Sequence, residues 1–309
     1  MRICSLLPSG TEIVFAIGMG NSLVGVTHEC DYLPEAASIP QITRTNIPAG
    51  LSSGEINSAV ASTLQSTGSL YELDLSLLEK LQPDVVLTQR LCDVCAVSFD
   101  RVQEAVKGLR SRPTVLNLEP HSLQDILQNI LTVGEATGQF ASAQRVVRMI
   151  EGRIDAVREK SAQIPERPRV FCMEWVNPPF CGGHWMKELV EIAGGRDALA
   201  QLHRPSCRID WGRVLEFSPE VIVLTCCGFN LGRCQAEGEI LARQERVNEL
   251  PAVQAGRVYA TDGSSYFSRP RPRIVDSLEI LAHLIHPNQV PPPAWTDAFL
   301  RIALESHQG

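Results

Sequence analysis

One short pattern occurs twice in this chain, and the repeat limits its possible folds more than any other feature. Pro83-Asp84-Val85-Val86-Leu87-Thr88 is echoed by Pro219-Glu220-Val221-Ile222-Val223-Leu224-Thr225. Each copy follows an apolar stretch with helical spacing, Leu77, Leu78 and Leu81 in the first and Val214, Leu215 and Phe217 in the second. Each then runs into cysteine: Cys92 and Cys95 in the loop after the first, Cys226-Cys227 directly after the second. An uninterrupted apolar run bounded by breakers fits a strand buried on both faces, the strand type of a parallel sheet covered by helices. Two such copies imply two related α/β halves.

Around these anchors strands alternate with helices, which implies parallel βαβ units. In the first half, strands are expected at 2–6, 23–26, 85–88 and 114–118. The turn Pro8-Ser9-Gly10-Thr11-Glu12 opens the first helix, with Ser9 or Thr11 as its cap. Further helices are expected at 53–64, 75–81, 99–109 and 122–136. In the second half, strands are expected at 169–173, 221–225 and 257–260. Helices are expected at 186–193, 211–217, 238–247 and 273–285, with a last one over 295–306 and a loop at 262–267.

Between the halves, Phe140, Ala143, Val147, Ile150, Ile154 and Val157 recur at spacings of 3, 4, 3, 4 and 3. This is one apolar stripe on a helix of roughly 25 residues, about 38 Å long. Pro165 and Pro168 stop it. The expected architecture is therefore α/β, two Rossmann-like lobes with mainly parallel sheets joined by one long connector helix. Residues 1–137 form the first lobe, 138–165 the connector and 166–309 the second lobe.

Composition narrows the function. At 309 residues, 44% apolar and 20% charged, the chain is globular and long enough for two cores. A formal net charge of −7 gives no support for nucleic-acid binding, which needs a basic face. No apolar run approaches the roughly 20 residues of a membrane span. Arg2-Ile3-Cys4-Ser5-Leu6-Leu7 runs straight into Pro8-Ser9-Gly10 and reads as the first strand of the fold rather than a leader. A cytosolic chain is the expectation, periplasmic only if an upstream start adds a signal peptide. In a reducing compartment the ten cysteines are expected as thiols or ligands.

In an open parallel sheet the ligand crevice lies outside the carboxyl ends of the strands. In the first half those ends carry Ser9-Gly10-Thr11, then His28-Glu29-Cys30-Asp31, then Gln89 to Cys95. In the second half they carry Glu174-Trp175 with His184-Trp185, then Cys227-Gly228-Phe229, then Tyr266-Phe267. If the halves face each other, aromatics line one wall of a cleft and thiols the other.

His28, Cys30, Cys92 and Cys95 have the composition of a Cys3His metal site, suited to zinc or an iron–sulfur centre. The same residues also read as small buried side chains with a hydrogen-bonded histidine. Cys4, Cys172, Cys207 and Cys226 are expected to pack, and the run Ser268-Arg269-Pro270-Arg271-Pro272-Arg273 reads either as a solvated basic loop or as part of the site. Catalytic templates fit poorly: there is no phosphate-binding P-loop. Cys92 or Cys95 with His28 would make a nucleophile pair, but no third group orients it.

The motifs taken together resemble a known family. Ser5-Leu6-x-Pro8-Ser9-x-Thr11-Glu12, Gly25-Val26-Thr27 with His28-x-Cys30-Asp31, Leu81-x-Pro83-Asp84-x-Val86, and Leu250-Pro251-Ala252-Val253 with Gly256-Arg257-Val258-Tyr259 are similar to the substrate-binding proteins of ABC importers. The long helix between lobes resembles their class III, and within it the cobalamin-binding branch. The resemblance implies a non-enzymatic protein that holds a cobalamin, another corrinoid or a related metal chelate between its lobes. Ser9, Gly10, Thr11, the His28–Asp31 loop and Gln89 onward would form one wall, and Trp175, Trp185, Phe229, Tyr266 and Phe267 the other. It implies an ABC permease as a possible partner. The rival expectation is a zinc or iron protein using His28, Cys30, Cys92 and Cys95.

Overall fold

The computed structural model describes residues 1–48, 50–67, 69–90, 97 and 99–304. They form two compact units, one of residues 1–120 and 124–148, the other of residues 121–123 and 149 onward.

The first unit runs β1 (Ile3–Ser5), α1 (Pro8–Ala16), β2 (Leu23–Val26), β3 (Thr43–Thr45), α2 (Ser53–Thr67), β4 (Tyr71–Leu73), α3 (Leu75–Leu81), β5 (Val85–Thr88), α4 (Phe99–Lys107), β6 (Thr114–Asn117) and α5 (Leu123–Ala136), and then enters α6 (Phe140–Ala162). Its main sheet is parallel throughout, in the order β2-β1-β5-β6. The strands β3 and β4 pair separately and antiparallel. Every residue of β5 is buried, as a run of Val, Val and Leu at a sheet centre requires. Cys4, Leu6, Ile42, Leu78, Val86, Val97, Val102, Val106 and Leu109 form one apolar cluster around it. The helix α1 lies close to the sheet because residue 10 is glycine. A Cβ there would stand 2.9 Å from Ser5 Oγ and 3.1 Å from Leu87 Cδ1.

The second unit runs β7 (Val170–Trp175), β8 (Phe180–Cys181), α7 (Met186–Ile192), α8 (Trp211–Phe217), β9 (Val221–Leu224), α9 (Leu231–Leu241), α10 (Pro251–Gln254), β10 (Val258–Thr261), α11 (Ile274–Ile285) and β11 (Phe299–Arg301). Its sheet order is β11-β10-β9-β7-β8. The three central strands are parallel, and both edge strands run antiparallel to them.

The repeated sequence is a repeated structure. Both α3 and α8 have seven residues. Asp74 caps the first by accepting the Leu77 N–H at 2.9 Å, and Asp210 caps the second by accepting the Gly212 N–H at 2.8 Å. Both helices end in a left-handed residue, Gln82 at φ 43° and Ser218 at φ 51°. That turn aims Pro83-Asp84 and Pro219-Glu220 back into the sheet as the central strands β5 and β9.

Four local expectations change. Ser9 and Thr11 do not cap α1: the helix starts at Pro8, which suits the first helical position, and the capping position is Leu7. The helix expected at 238–247 is α9, which begins seven residues earlier because the Asn230 side chain accepts the Arg233 N–H at 2.9 Å. The loop at 262–267 is a helical turn over Gly263–Phe267, capped by Asp262, whose Oδ1 accepts the Ser265 N–H at 2.7 Å. The last helix, expected over 295–306, is instead a short helical turn at Thr296–Ala298 followed by β11. There Phe299, Leu300 and Arg301 pair with Thr261, Ala260 and Tyr259, and an open sheet edge outweighs a weak helical pattern. Along α6, Ala143, Val147, Ile150 and Ile154 are buried as the stripe requires, while Phe140 is 44% exposed. Among the described residues no helix is long and apolar enough to cross a membrane.

Candidate functional site

Three strand ends of the second unit converge on one face. The strand β7 delivers Glu174 and Trp175. The segment after β9 is held beside it by the Thr225 N–H on Met173 O at 2.9 Å and the Cys227 N–H on Glu174 O at 3.1 Å. The turn after β10 joins the same group through the Ser264 N–H on Phe229 O at 3.0 Å. Gly263 permits that approach, since a Cβ on it would lie 2.2 Å from Cys226 O. The strand-end residues expected to share a site in this half are therefore brought together by main-chain hydrogen bonds.

The aromatic groups lie against one another in order. The Trp175 and Phe229 ring centroids are 4.9 Å apart, and the Arg233 guanidinium sits 3.8 Å from the centre of the Phe229 ring. Trp175 is half-buried, and its Nε1–H donates to Asn177 O at 3.1 Å. Phe229 and Phe267 are only 3% and 2% exposed, so they support this surface from beneath. Tyr266 is half-buried with the Arg273 guanidinium 5.6 Å from its ring centre, and burial pushes its phenol pKa up. Cys227 is exposed, and Gly228 turns the chain at φ 73°.

Glu174 organises the neighbouring loop. Its Oε1 accepts the Gly183 N–H at 2.8 Å. Burial pushes its carboxyl pKa up, and the hydrogen bonds from Gly183 and Ser206 pull it back. Gly183 presses against the returning segment: a Cβ there would stand 2.2 Å from Ser206 N. His184 follows with φ 51°, its N–H on Arg204 O at 2.6 Å. Its ring lies 5.6 Å from both the Trp185 and His121 rings. Burial first, and His121 second, lower the His184 pKa to about 4, so the imidazole is neutral at physiological pH. The Nδ1 of His184 and the Nε1 of Trp185 are buried and meet no hydrogen-bond partner among the described residues. Buried polar atoms of this kind normally take water or a ligand as partner.

Two groups were not foreseen. Arg233 and His121 join the face, and only the Asn230 cap, which starts α9 one turn before Arg233, signals the first in sequence. Arg269 and Arg271 are not a solvated loop: they are 9% and 0% exposed, and their Nη2 atoms donate to Ser264 Oγ and Ser264 O, both at 3.0 Å. They brace the turn that carries Tyr266. Of the cysteines expected to pack, Cys4, Cys172 and Cys226 are fully buried, but Cys207 is exposed.

In the first unit the expected site residues are engaged locally. Ser9 and Thr11 are 3% and 1% exposed within α1, and the Thr11 hydroxyl lies 3.1 Å from Cys30 Sγ. His28 Nδ1 lies 2.8 Å from Thr43 Oγ1, its Nε2 lies 3.4 Å from Glu29 Oε1, and its ring stands 5.7 Å from that of Tyr71. Gln89 is buried at the end of β5, and Asp31 is exposed. Cys92 and Cys95 lie outside the described residues. Among the described residues no group of three His, Cys, Asp or Glu side chains is placed to hold a metal ion. The His28 ring is held by Thr43, Glu29 and Tyr71, and the buried Cys30 thiol lies beside the Thr11 hydroxyl, as in the reading of a hydrogen-bonded histidine and a buried thiol.

The periplasmic binding protein family profile matches residues 3–264. An ABC transporter substrate-binding lipoprotein of Bacillus subtilis, itself uncharacterized, is 24% identical over 93% of this chain and 80% of its own length. A vitamin B12-binding protein of Vibrio parahaemolyticus is 22% identical over 91% of this chain and 88% of its own. The crystal structure of a periplasmic heme-binding protein of Pseudomonas aeruginosa superposes with a TM-score of 0.73 at 15% identity, covering 97% of each chain. The fold is the class III substrate-binding protein fold. The cytosolic placement expected from the N-terminal sequence does not stand against these relatives, one a lipoprotein and one periplasmic. A profile that runs from the first residue of β1 to the turn after β10 takes in the strand ends of both sheets, and by it the chain belongs to the periplasmic binding protein family, whose members bind solutes and do no chemistry on them.

Proposed function

We propose that the chain captures cobalamin or a related tetrapyrrole metal chelate and delivers it to an ABC permease. The observation that carries this reading is the match to a vitamin B12-binding protein over 91% of the chain. The strand-end face of the second unit supports it chemically. A planar macrocycle wants flat aromatic surface and a few fixed polar groups. Trp175 against Phe229, the neutral imidazole of His184 and the phenol of Tyr266 supply both. Haem is the related chelate to set beside it, because a heme-binding protein shares the fold over 97% of the chain.

Titration of the purified protein with cyanocobalamin, hydroxocobalamin and haemin, followed by heat and by the ligand's visible spectrum, tests the reading. One-to-one binding of a corrinoid in preference to haemin is expected. Preferential binding of haemin would move the ligand within the tetrapyrroles. No heat and no spectral change with any of the three up to about 100 μM, a weak-affinity limit of about 5.5 kcal/mol, would sink the proposal.

A further inference from the structure

We infer that Cys181 and Cys207 are a disulfide-forming pair, an oxidation site that fastens the loop bearing His184 and Trp185 to β8. Their Sγ atoms are 3.5 Å apart, and both are thiols in this structure. Main-chain pairing puts them opposite one another: Phe180 bridges Arg208 antiparallel, the Cys181 N–H donates to Cys207 O at 3.1 Å, and the Ile209 N–H donates to Pro179 O at 2.9 Å. Residues facing each other in such a ladder have Cα atoms about 5.5 Å apart, inside the roughly 4.4–6.8 Å that a disulfide spans. Side-chain rotation alone closes the remaining gap.

The surroundings are those of a selective site. Cys207 is exposed with the Cys181 thiol beside it; Cys227 is also exposed, whereas Cys172, Cys226 and Cys234 are 0% exposed and out of reach of a dissolved oxidant. The two cysteines are 26 residues apart. The chain between them holds Gly183, His184, Trp185 and α7, and the Ser206 hydroxyl already donates to Cys181 O at 2.8 Å. A bond here closes the loop at the point where Gly183 packs on Ser206 and so fixes the His184 ring.

The oxidant is a low-molecular-weight disulfide such as oxidised glutathione. The Cys207 thiolate attacks one of its sulfurs and expels one thiolate. The resulting mixed disulfide is attacked at Cys207 Sγ by the Cys181 thiolate, and the second thiolate leaves. The small disulfide is reduced to two thiols, which take up the two cysteine protons, and the protein gains one S–S bond. Burial pushes the Cys181 thiol up to about 12, so ring closure is the slow step and quickens as pH rises.

Oxidation of the full chain with a glutathione redox buffer, alkylation and peptide mapping under non-reducing conditions tests the inference without any tetrapyrrole present. The expected result is a linked Cys181–Cys207 peptide as the dominant disulfide. It comes with a Tm raised by about 5–10 °C and reversed by dithiothreitol. Cys207→Ser, an exposed change, should fold normally and show no oxidant-dependent rise in Tm. Alkylation of both cysteines after oxidation, stable glutathionylation of Cys207 with Cys181 still alkylated, or pairing of either with another cysteine would overturn it.

Discussion

The backbone N–H of Arg169 donates to Glu220 Oε2 at 2.9 Å. The other unit makes the same join, with the Arg2 N–H on Asp84 Oδ2 at 2.7 Å. Each arginine also reaches the end of the helix that leads into the central strand through its Nε–H, on Ser218 O at 2.8 Å and Leu81 O at 2.7 Å. The acids return the contact through their own N–H groups, Glu220 on Arg169 O and Asp84 on Arg2 O, both at 2.8 Å. The proline-acid pair that marks the repeat is therefore a clasp at the amino end of each sheet. It holds the first strand of the unit against the central one, at the end opposite the strand tips.

Removing one half of a clasp should affect stability and leave binding alone. Glu220→Ala is expected to lower unfolding free energy by about 1 kcal/mol, the scale of a partly exposed charge-assisted hydrogen bond. Glu220→Gln, which keeps an acceptor, should cost less than half of that. Urea melts of the three proteins measure both, and a variant as stable as the wild type would remove the clasp from the account.

A second ionic junction should be costlier to break. The Arg153 guanidinium on α6 donates to Asp276 Oδ1 at 2.7 Å and to both Glu279 carboxylate oxygens at 2.8 and 2.9 Å on α11. Asp276 is 5% exposed, and burial pushes its pKa up even with the arginine present. Arg153→Met strands that carboxylate and should cost about 3 kcal/mol at pH 7. The loss should shrink on acidification: a carboxyl whose folded pKa is raised gains stability as pH falls through that pKa. Adding Asp276→Asn should recover most of the loss at neutral pH. A single variant with no measurable loss would contradict the stranded-charge argument.

The clasp and this junction differ in how far sequence announces them. Val85–Thr88 and Trp211–Phe217 are read to the residue, because buried central strands are apolar throughout and the flanking proline, acid and caps are local signals. The strand-end groups Glu174-Trp175, Cys227-Gly228-Phe229 and Tyr266 are placed by the same logic. What escapes is set by partners distant in the chain. Phe299–Arg301 becomes a strand because β10 offers an edge far earlier in sequence, as the Tyr259–Arg301 and Thr261–Phe299 pairs show. Arg271 is buried because Ser264 accepts from it, which a run of alternating arginine and proline does not disclose. The sequence suggests only packing for Cys207, and its position opposite Cys181 depends on a bridge that no periodicity signals.

The ligand reading makes a separable claim about Trp175. Its ring is half-buried against Phe229, so trimming it removes flat apolar surface without opening the core. Trp175→Ala is expected to weaken corrinoid binding about tenfold, or roughly 1.4 kcal/mol, while Tm changes by less than about 2 °C. Competitive titration against wild type reads the first and a thermal melt the second. Unchanged affinity in a folded variant would exclude Trp175 from the contact surface.

His184 should be the most acid-sensitive group of this face. Its pKa in the folded protein is lowered to about 4 from an ordinary 6.5, chiefly by burial and then by His121. A base with a depressed folded pKa binds fewer protons folded than unfolded between those values. Its contribution is fully present above pH 6.5 and is lost as pH falls towards 4. Glu174 and Asp197, whose carboxyl pKa values burial raises, act in the opposite sense over their own windows, so the wild-type curve alone does not isolate the histidine. The difference between wild type and His184→Asn does, and asparagine tolerates the left-handed φ of 51° that the position imposes. The wild type should lose stability more steeply than the variant from pH 6.5 down to 4, and the two should run parallel above 7. Carbon-detected titration of the His184 ring should show a midpoint near 4. A midpoint near 6.5 would mean the ring is solvated and charged at mildly acidic pH, and the neutral imidazole assigned to this face would then fail.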